Sequence, residues 1–269
     1  MLRQLRLGRG LSIDEVTSRA MFSPTKLSRL ETGRVGASPR DIRDLCAAYE
    51  ISDTAQREHL EELAREGKRR AWWQPYDLRY STYVDLEAEA ASINNYDTDF
   101  VPGLLQVARY ARAVLKSTEP PLDPAAIERN VEARIRRQSL LARDNAPLLH
   151  CIVDESALRR PIGGPAVMKE QLARIIEIAK IPKVSFQIIP FDVGAHPGLG
   201  GGNFVILELG QQAVNDVVYI EGASGNLYLE GAADLQKFRH IFAQLKTIAL
   251  SSEGSIAMAR RIAATYEES

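Results

Sequence analysis

The segment that most constrains this chain is residues 11–34, LSIDEVTSRAMFSPTKLSRLETGR. It starts a helix twice in quick succession. Ser12 is placed to cap the first, and Glu15 three residues on completes a capping box, in which each side chain satisfies the other's backbone N–H. Ser23 repeats the start, with Pro24 at the first helical position, where its missing N–H costs nothing. Ile13, Val16 and Ala20 on one helix and Leu27 and Leu30 on the next fall at helical spacing and read as inward. Gly33 stops the second helix. Two short helices about three residues apart must cross and bury their stripes against each other, which is a helix-turn-helix arrangement. Thr25, Lys26, Ser28, Arg29 and Thr32 are left on the free face of the second helix. Capped helices with inward leucines also occur in helical proteins that bind only protein, and spacing alone leaves that reading open.

The flanks extend the same grammar. Leu2, Leu5 and Leu7 support a brief first helix ended by Gly8-Arg9-Gly10. Ser38-Pro39 starts a fourth, with Ile42, Leu45, Cys46 and Tyr49 inward. A fifth runs from about Asp53 to Arg65 with Leu60 and Leu63 inward. Residues 1–66 thus read as an all-α, five-helix domain. Charge is unevenly spread: the formal net charge is -1, yet residues 1–43 carry an excess of +5, leaving -6 on the rest. A basic module on a mildly acidic body fits nucleic-acid binding through one end, although charged helix faces are also common.

Leu27-Ser28-Arg29-Leu30-Glu31-Thr32-Gly33-Arg34, preceded by Gly10-Leu11-Ser12 and followed by Ser38-Pro39, resembles the Cro/cI-type helix-turn-helix family, also called the xenobiotic-response-element family. The resemblance covers residues 1–65. It implies double-stranded DNA as partner, with the helix over about 23–32 in the major groove. Base contacts then fall to Pro24, Thr25, Ser28 and Arg29. Arg29 is suited to a bidentate guanine contact, worth roughly 1–3 kcal/mol of discrimination, and Thr25 to a thymine methyl. The backbone at Ile13, with Lys26, Arg34, Arg40 and Arg43, takes phosphate-contacting positions. Glu31 reads as structural, following the buried Leu30 and pairing with a nearby arginine. Two features depart from the family pattern. Met21 stands where the turn usually has glycine, at a strain of roughly 1–2 kcal/mol if left-handed. The first helix is one or two turns short, as it would be if the natural start lay upstream of Met1.

Residues 67–80, GKRRAWWQPYDLRY, read as a connection packed on the following domain, because two tryptophans rarely swing free. Trp72, Trp73, Tyr76 and Tyr80 are candidates for an effector or partner pocket; packing of the connection is the plainer reading. Residues 81–269 form a second domain, with helices near 82–91, 104–116, 124–142, 165–180, 230–250 and 254–266. Strands fall at 148–153, 184–189, 203–209, 217–221 and 226–229. The whole is α+β, the second domain holding a small, mostly antiparallel sheet. Tyr83 to Ala90, Val101-Pro102-Gly103-Leu104-Leu105-Gln106, Tyr110-Ala111, Arg134 to Gln138, Asp154 to Leu158, Ile188-Ile189-Pro190 and Val218-Tyr219-Ile220-Glu221 resemble the C-terminal domain of actinobacterial antitoxin-like (WhiJ-like) transcription factors. That resemblance implies a small companion protein as partner.

No catalytic or metal motif emerges, and no cofactor is expected. Asp154 and Glu155 follow a strand, but Asp154 reads as a helix cap. His150 and Cys151 are adjacent on a strand and point to opposite faces. His196 lies in GAHPGLGGGN, which precedes a strand and reads as a long hairpin connection rather than a phosphate cradle. Arg134, Arg136 and Arg137 read as a solvated helix face. Cys46 and Cys151 form no CxxC pair, the N-terminus lacks a secretory h-region, and no apolar run spans a membrane, so a reducing cytoplasm is expected. The expectation is a non-enzymatic, sequence-specific DNA-binding transcription regulator, acting as a homodimer on a double-stranded operator. An antitoxin-like module that mainly holds a companion protein, and an enzyme built on Asp154–Glu155, are the competing classes.

Overall fold

Serine caps set out the N-terminal helices. The structure, a computed structural model, describes residues 2–20, 22–31, 37–68, 76, 80–210, 216–222 and 225–266; the side chains of residues 29 and 65–68 lie outside it. It divides into two units, Met1–Pro75 and Tyr76–Ser269. The first holds α1 (Leu2–Gly8), α2 (Ile13–Ala20), α3 (Pro24–Glu31), α4 (Pro39–Ala48) and α5 (Thr54–Lys68). Ser12 Oγ accepts the Glu15 N–H at 3.2 Å, while the Glu15 carboxylate takes the Ser12 N–H and hydroxyl at 2.8 and 2.7 Å. The Ser23 hydroxyl accepts the Lys26 N–H at 3.1 Å. Ser38 and Asp41 form a second reciprocal box with Pro39 in the first turn of α4. Each such cap contributes about 1 kcal/mol.

These starts aim the apolar stripes of α2, α3, α4 and α5 at one core of Val16, Ala20, Leu27, Leu30, Ile42, Leu45, Tyr49 and Leu60. Ile13 departs from expectation: it is 37% exposed. As the first residue of α2 it lies ahead of the crossing, and burial begins one turn later at Val16 and Thr17. The Met21 turn and the Gly33 stop lie outside the described residues.

In the second unit a six-stranded mixed sheet runs in the order β3-β2-β1-β4-β5-β6. The strands are β1 (Ser92–Asp97), β2 (Leu148–Asp154), β3 (Val184–Ile189), β4 (Phe204–Glu208), β5 (Val217–Gly222) and β6 (Gly225–Leu229). β1, β2 and β3 pair in parallel, and β4, β5 and β6 continue antiparallel on the other side of β1. Parallel neighbours require crossovers. α6 (Ser81–Glu89) leads into β1, and α7 (Ala108–Lys116) and α8 (Pro124–Arg137) connect β1 to β2. α9 (Glu155–Arg159) and α10 (Pro165–Ile178) connect β2 to β3, α11 (Pro197–Gly201) precedes β4, and α12 (Ala232–Ile248) and α13 (Ser252–Thr265) follow the sheet.

Alternation splits the strands between two cores. Tyr96, Ile152, Phe204, Ile206 and Val218 pack against Leu235, Phe238, Phe242 and Leu245 of α12. Ile93, Cys151, Val153, Phe186 and Leu207, on the opposite face, are buried as well. Both faces of the parallel half are therefore covered, as that geometry demands. The outer edge of β3 is sealed too: the Leu250 N–H donates to Ile188 O, and Ser255 Oγ accepts the Ile188 N–H, both at 2.9 Å.

Three expectations change here. Residues 92–97, SINNYD, to which the sequence reading gave no strand, form β1 at the centre of the sheet. The glycine-rich stretch around His196 is not a hairpin connection, because β3 and β4 are separated by β2 and β1, and it carries α11. Arg137 is not on a solvated face: it pairs with Glu87 at 2.7 Å, the two side chains 9% and 1% exposed. Tyr83 Oη donates to the same carboxylate at 2.8 Å. Arg136 is exposed, and Arg134 donates to Gln106 at 2.9 Å.

Candidate nucleic-acid interface

α3 is held from behind by a buried ion pair. Arg6 grips both Glu31 oxygens, Nε at 2.7 Å and Nη2 at 2.9 Å, and its Nη1 donates to Leu11 O at 2.8 Å. Tyr49 Oη donates to Glu31 Oε1 at 3.2 Å. The Arg6 and Glu31 side chains are 8% and 3% exposed. Hydrogen bonding to Glu31 pushes the Arg6 guanidinium further up, and burial beside that carboxylate pushes the Tyr49 hydroxyl up. Arg6 of α1 and Tyr49, just past the end of α4, thus fix the end of α3 against its neighbours. Bidentate geometry gives the contact direction as well as energy.

With Leu27 and Leu30 buried, the opposite side of α3 faces out: Pro24, Thr25, Lys26 and Ser28 are exposed. The side chain of Arg29 lies outside the described part, as do Thr32 and Arg34. Lys26 leans toward α4: its Nζ is 2.6 Å from Asp41 Oδ1 and 4.0 Å from the centre of the Phe22 ring. Burial opposes the Asp41 carboxylate, but hydrogen bonds from Lys26 and Ser38 outweigh it and hold its pKa at about 2. The Lys26 side chain still keeps 45% exposure. Arg40 is exposed with no ion-pair partner among the described residues, and Arg43 reaches Glu61 only at 3.5 Å. The exposed Ile13 sits at the start of α2, where backbone N–H groups favour anions.

Sequence reasoning did not single out the arginines that serve the fold. Arg9 Nη1 donates to Tyr49 O and Glu50 O, both at 2.8 Å, closing the end of α4 where Glu50 turns to φ +55. Arg19 pairs with Glu50 at 2.9 Å. Only Glu31, acidic beside the inward Leu30, announced a structural partner in the sequence.

Of the four aromatic residues around the connection, Trp72 and Trp73 lie outside the described residues. Tyr76 is buried, and its Oη donates to Glu132 at 2.8 Å. Tyr80 has a buried hydroxyl without a hydrogen-bond partner, and its ring centre is 5.6 Å from the Arg137 guanidinium. Asp154 caps α9 by accepting the Ser156 N–H at 2.8 Å. Burial pushes the Cys151 thiol well up and the His150 imidazole down. Among the described residues no helix is long and apolar enough to cross a membrane, and no group of three or more His, Cys, Asp or Glu side chains is placed to hold a metal ion.

Two family models match. A helix-turn-helix domain model covers residues 1–60. A domain of unknown function, DUF5753, covers residues 80–261. No curated protein and no solved structure matches the chain. Because the larger match spans more than half of the sequence, the chain belongs to the DUF5753 family and carries a helix-turn-helix domain in front of that domain.

Proposed function

We propose that this protein is a cytoplasmic, sequence-specific DNA-binding transcription regulator, with α3 entering the major groove. The observation that carries the reading is the two-sided character of α3. Its apolar side and Glu31 are locked into the core, while Pro24, Thr25, Lys26 and Ser28 are exposed on one short, capped helix. A helix-turn-helix that reads DNA needs this division, because its first turns must reach base edges while the rest holds register. In this reading Pro24, Thr25, Ser28 and Arg29 contact bases. Ile13 through its backbone, with Lys26, Arg34, Arg40 and Arg43, contacts phosphates. Lys26 then trades part of its hold on Asp41 for a phosphate oxygen.

The larger domain serves dimerisation and the binding of a partner or effector, and symmetric half-sites suit a homodimer. It is not assigned a reaction: Asp154 is engaged as a helix cap, and Glu155 is bound by Arg159 and the Phe191 N–H. Selection of bound duplexes from a randomised pool tests the proposal. A recurrent motif with two-fold symmetry is the expected result. Sequence-independent recovery, or none, together with co-purification of a small protein, would replace it with the companion-binding module.

A further inference from the structure

The sheet of the second unit has two outer edges, and they are treated differently. β3 is sealed by Leu250 and Ser255. β6 ends the sheet on the other side, and among the described residues no hydrogen bond joins its outer edge to another segment. An open edge is a template for a further strand, and folds that must stay apart blunt it with charge or proline. Gly225–Leu229, GNLYL, carries neither.

Register decides what the edge offers. The Glu208 carbonyl accepts the Ala91 N–H at 2.8 Å and so faces β1. Backbone groups alternate in direction along an antiparallel strand, so Val205 and Leu207 face β5, opposite Tyr219 and Val217. Val218, Ile220 and Gly222 then face β6, opposite Leu229, Leu227 and Gly225. That leaves Asn226 and Tyr228 turning their N–H and C=O groups outward. The strand that presents them is held on both faces. The Tyr228 ring packs on Tyr219 with centres 5.2 Å apart, and Tyr219 on Tyr83 at 4.5 Å. On the opposite face Ile220 and Leu229 pack against the α12 core. Leu227 shares that face and stays 57% exposed.

We infer that β6 pairs antiparallel with β6 of a second copy of this chain, about a two-fold axis through Leu227. Asn226 of each copy then opposes Tyr228 of the other, and every outward backbone group is satisfied. The two copies of Leu227 meet on the axis as a non-hydrogen-bonded pair, in which side chains approach most closely. Each extends the apolar row of Ile220 and Leu229. Gly225 opposes Leu229 of the other copy, so nothing bulky crowds that row, and no like charges face each other within the paired strands. A second copy fits better than an open series of strands, because the joint is self-complementary and the β3 edge is sealed: assembly closes at two chains. The homodimer proposed above, on which this joint rests, thereby gains a defined interface.

Sedimentation and cysteine crosslinking of the full chain test it. Cys46 and Cys151 are 3% and 1% exposed and do not compete. Under copper-phenanthroline oxidation Leu227→Cys should give a disulfide-linked dimer, since the Cα atoms of such a pair stand about 4.5 Å apart, within disulfide reach. Leu148→Cys, 52% exposed at the start of β2, should not. Leu227→Lys should raise the dimer dissociation constant roughly tenfold or more by opposing like charges in place of the apolar contact. A monomer at every concentration of the unmutated chain would overturn both the homodimer and its joint. A dimer in which Leu227→Cys crosslinks no better than Leu148→Cys, and which Leu227→Lys leaves intact, would overturn the joint alone. Slow amide exchange at Asn226 and Tyr228 in a monomeric chain would place another segment of the same chain on this edge, and would overturn it too.

Discussion

Arg6 and Glu31 carry two opposite charges out of water in the smaller unit, and their attraction balances the desolvation only while both are present. Glu31→Gln or Arg6→Ala strands the other charge and should cost about 3–5 kcal/mol, read as a lower urea midpoint of the helical signal. The double replacement Arg6→Met with Glu31→Leu should destabilise less than either single change, because a buried pair is often matched by packed apolar groups. Asp97 makes the opposite case. Burial, only partly offset by the Asn95 hydrogen bond, pushes its carboxyl up to about 7. The folded state thus holds a proton that the unfolded chain has released above about pH 4, so stability falls as pH rises from about 4 to 7 and then levels off. Asp97→Asn keeps the acceptor for Asn95 and removes the ionisation. It should stabilise the second unit by about 1–3 kcal/mol at pH 8 and much less at pH 4, measured by thermal unfolding at both values.

At the scale of elements, what was legible was what local chemistry encodes. Ser12 with Glu15, Ser23 with Pro24 and Ser38 with Pro39 each fix a helix start through atoms three residues away, so α2, α3 and α4 could be read directly. β1 could not, because SINNYD lacks the β-branched run of a strand and gains its place from two neighbours far along the chain, Leu148–Asp154 on one side and Phe204–Glu208 on the other. The partner of Glu31 was equally out of reach: Arg6 lies twenty-five positions away. The use proposed for α3 predicts two kinds of mutant. Arg29→Ala should relax preference at one base pair, at roughly 1–3 kcal/mol of lost discrimination, whereas Arg40→Ala should weaken all duplexes alike and lower the salt slope by about 1. Mobility shifts on the selected duplex and its single-base variants separate them.

For the whole molecule, the proposed arrangement places DNA reading in Met1–Pro75 and assembly in Tyr76–Ser269. A fragment of residues 1–75 should then sediment as a monomer and bind a half-site weakly, while the full chain sediments as a dimer and binds the symmetric site much more tightly. Both affinities should fall steeply with salt as phosphate contacts release counterions. The acidic balance of the larger part argues against its sharing the phosphate backbone, so the salt slope per protomer should be the same for fragment and full chain.

The most direct measurement of whether α3 reads the major groove is methylation interference on the selected duplex. Guanine N7 lies in that groove, and in the proposed reading Arg29 is the residue that contacts it. Methylation of one guanine per half-site should abolish binding by the full chain, and Arg29→Ala should lose its sensitivity to that guanine alone. Binding indifferent to N7 methylation at every guanine, or blocked only by methylation in the minor groove, would contradict the account.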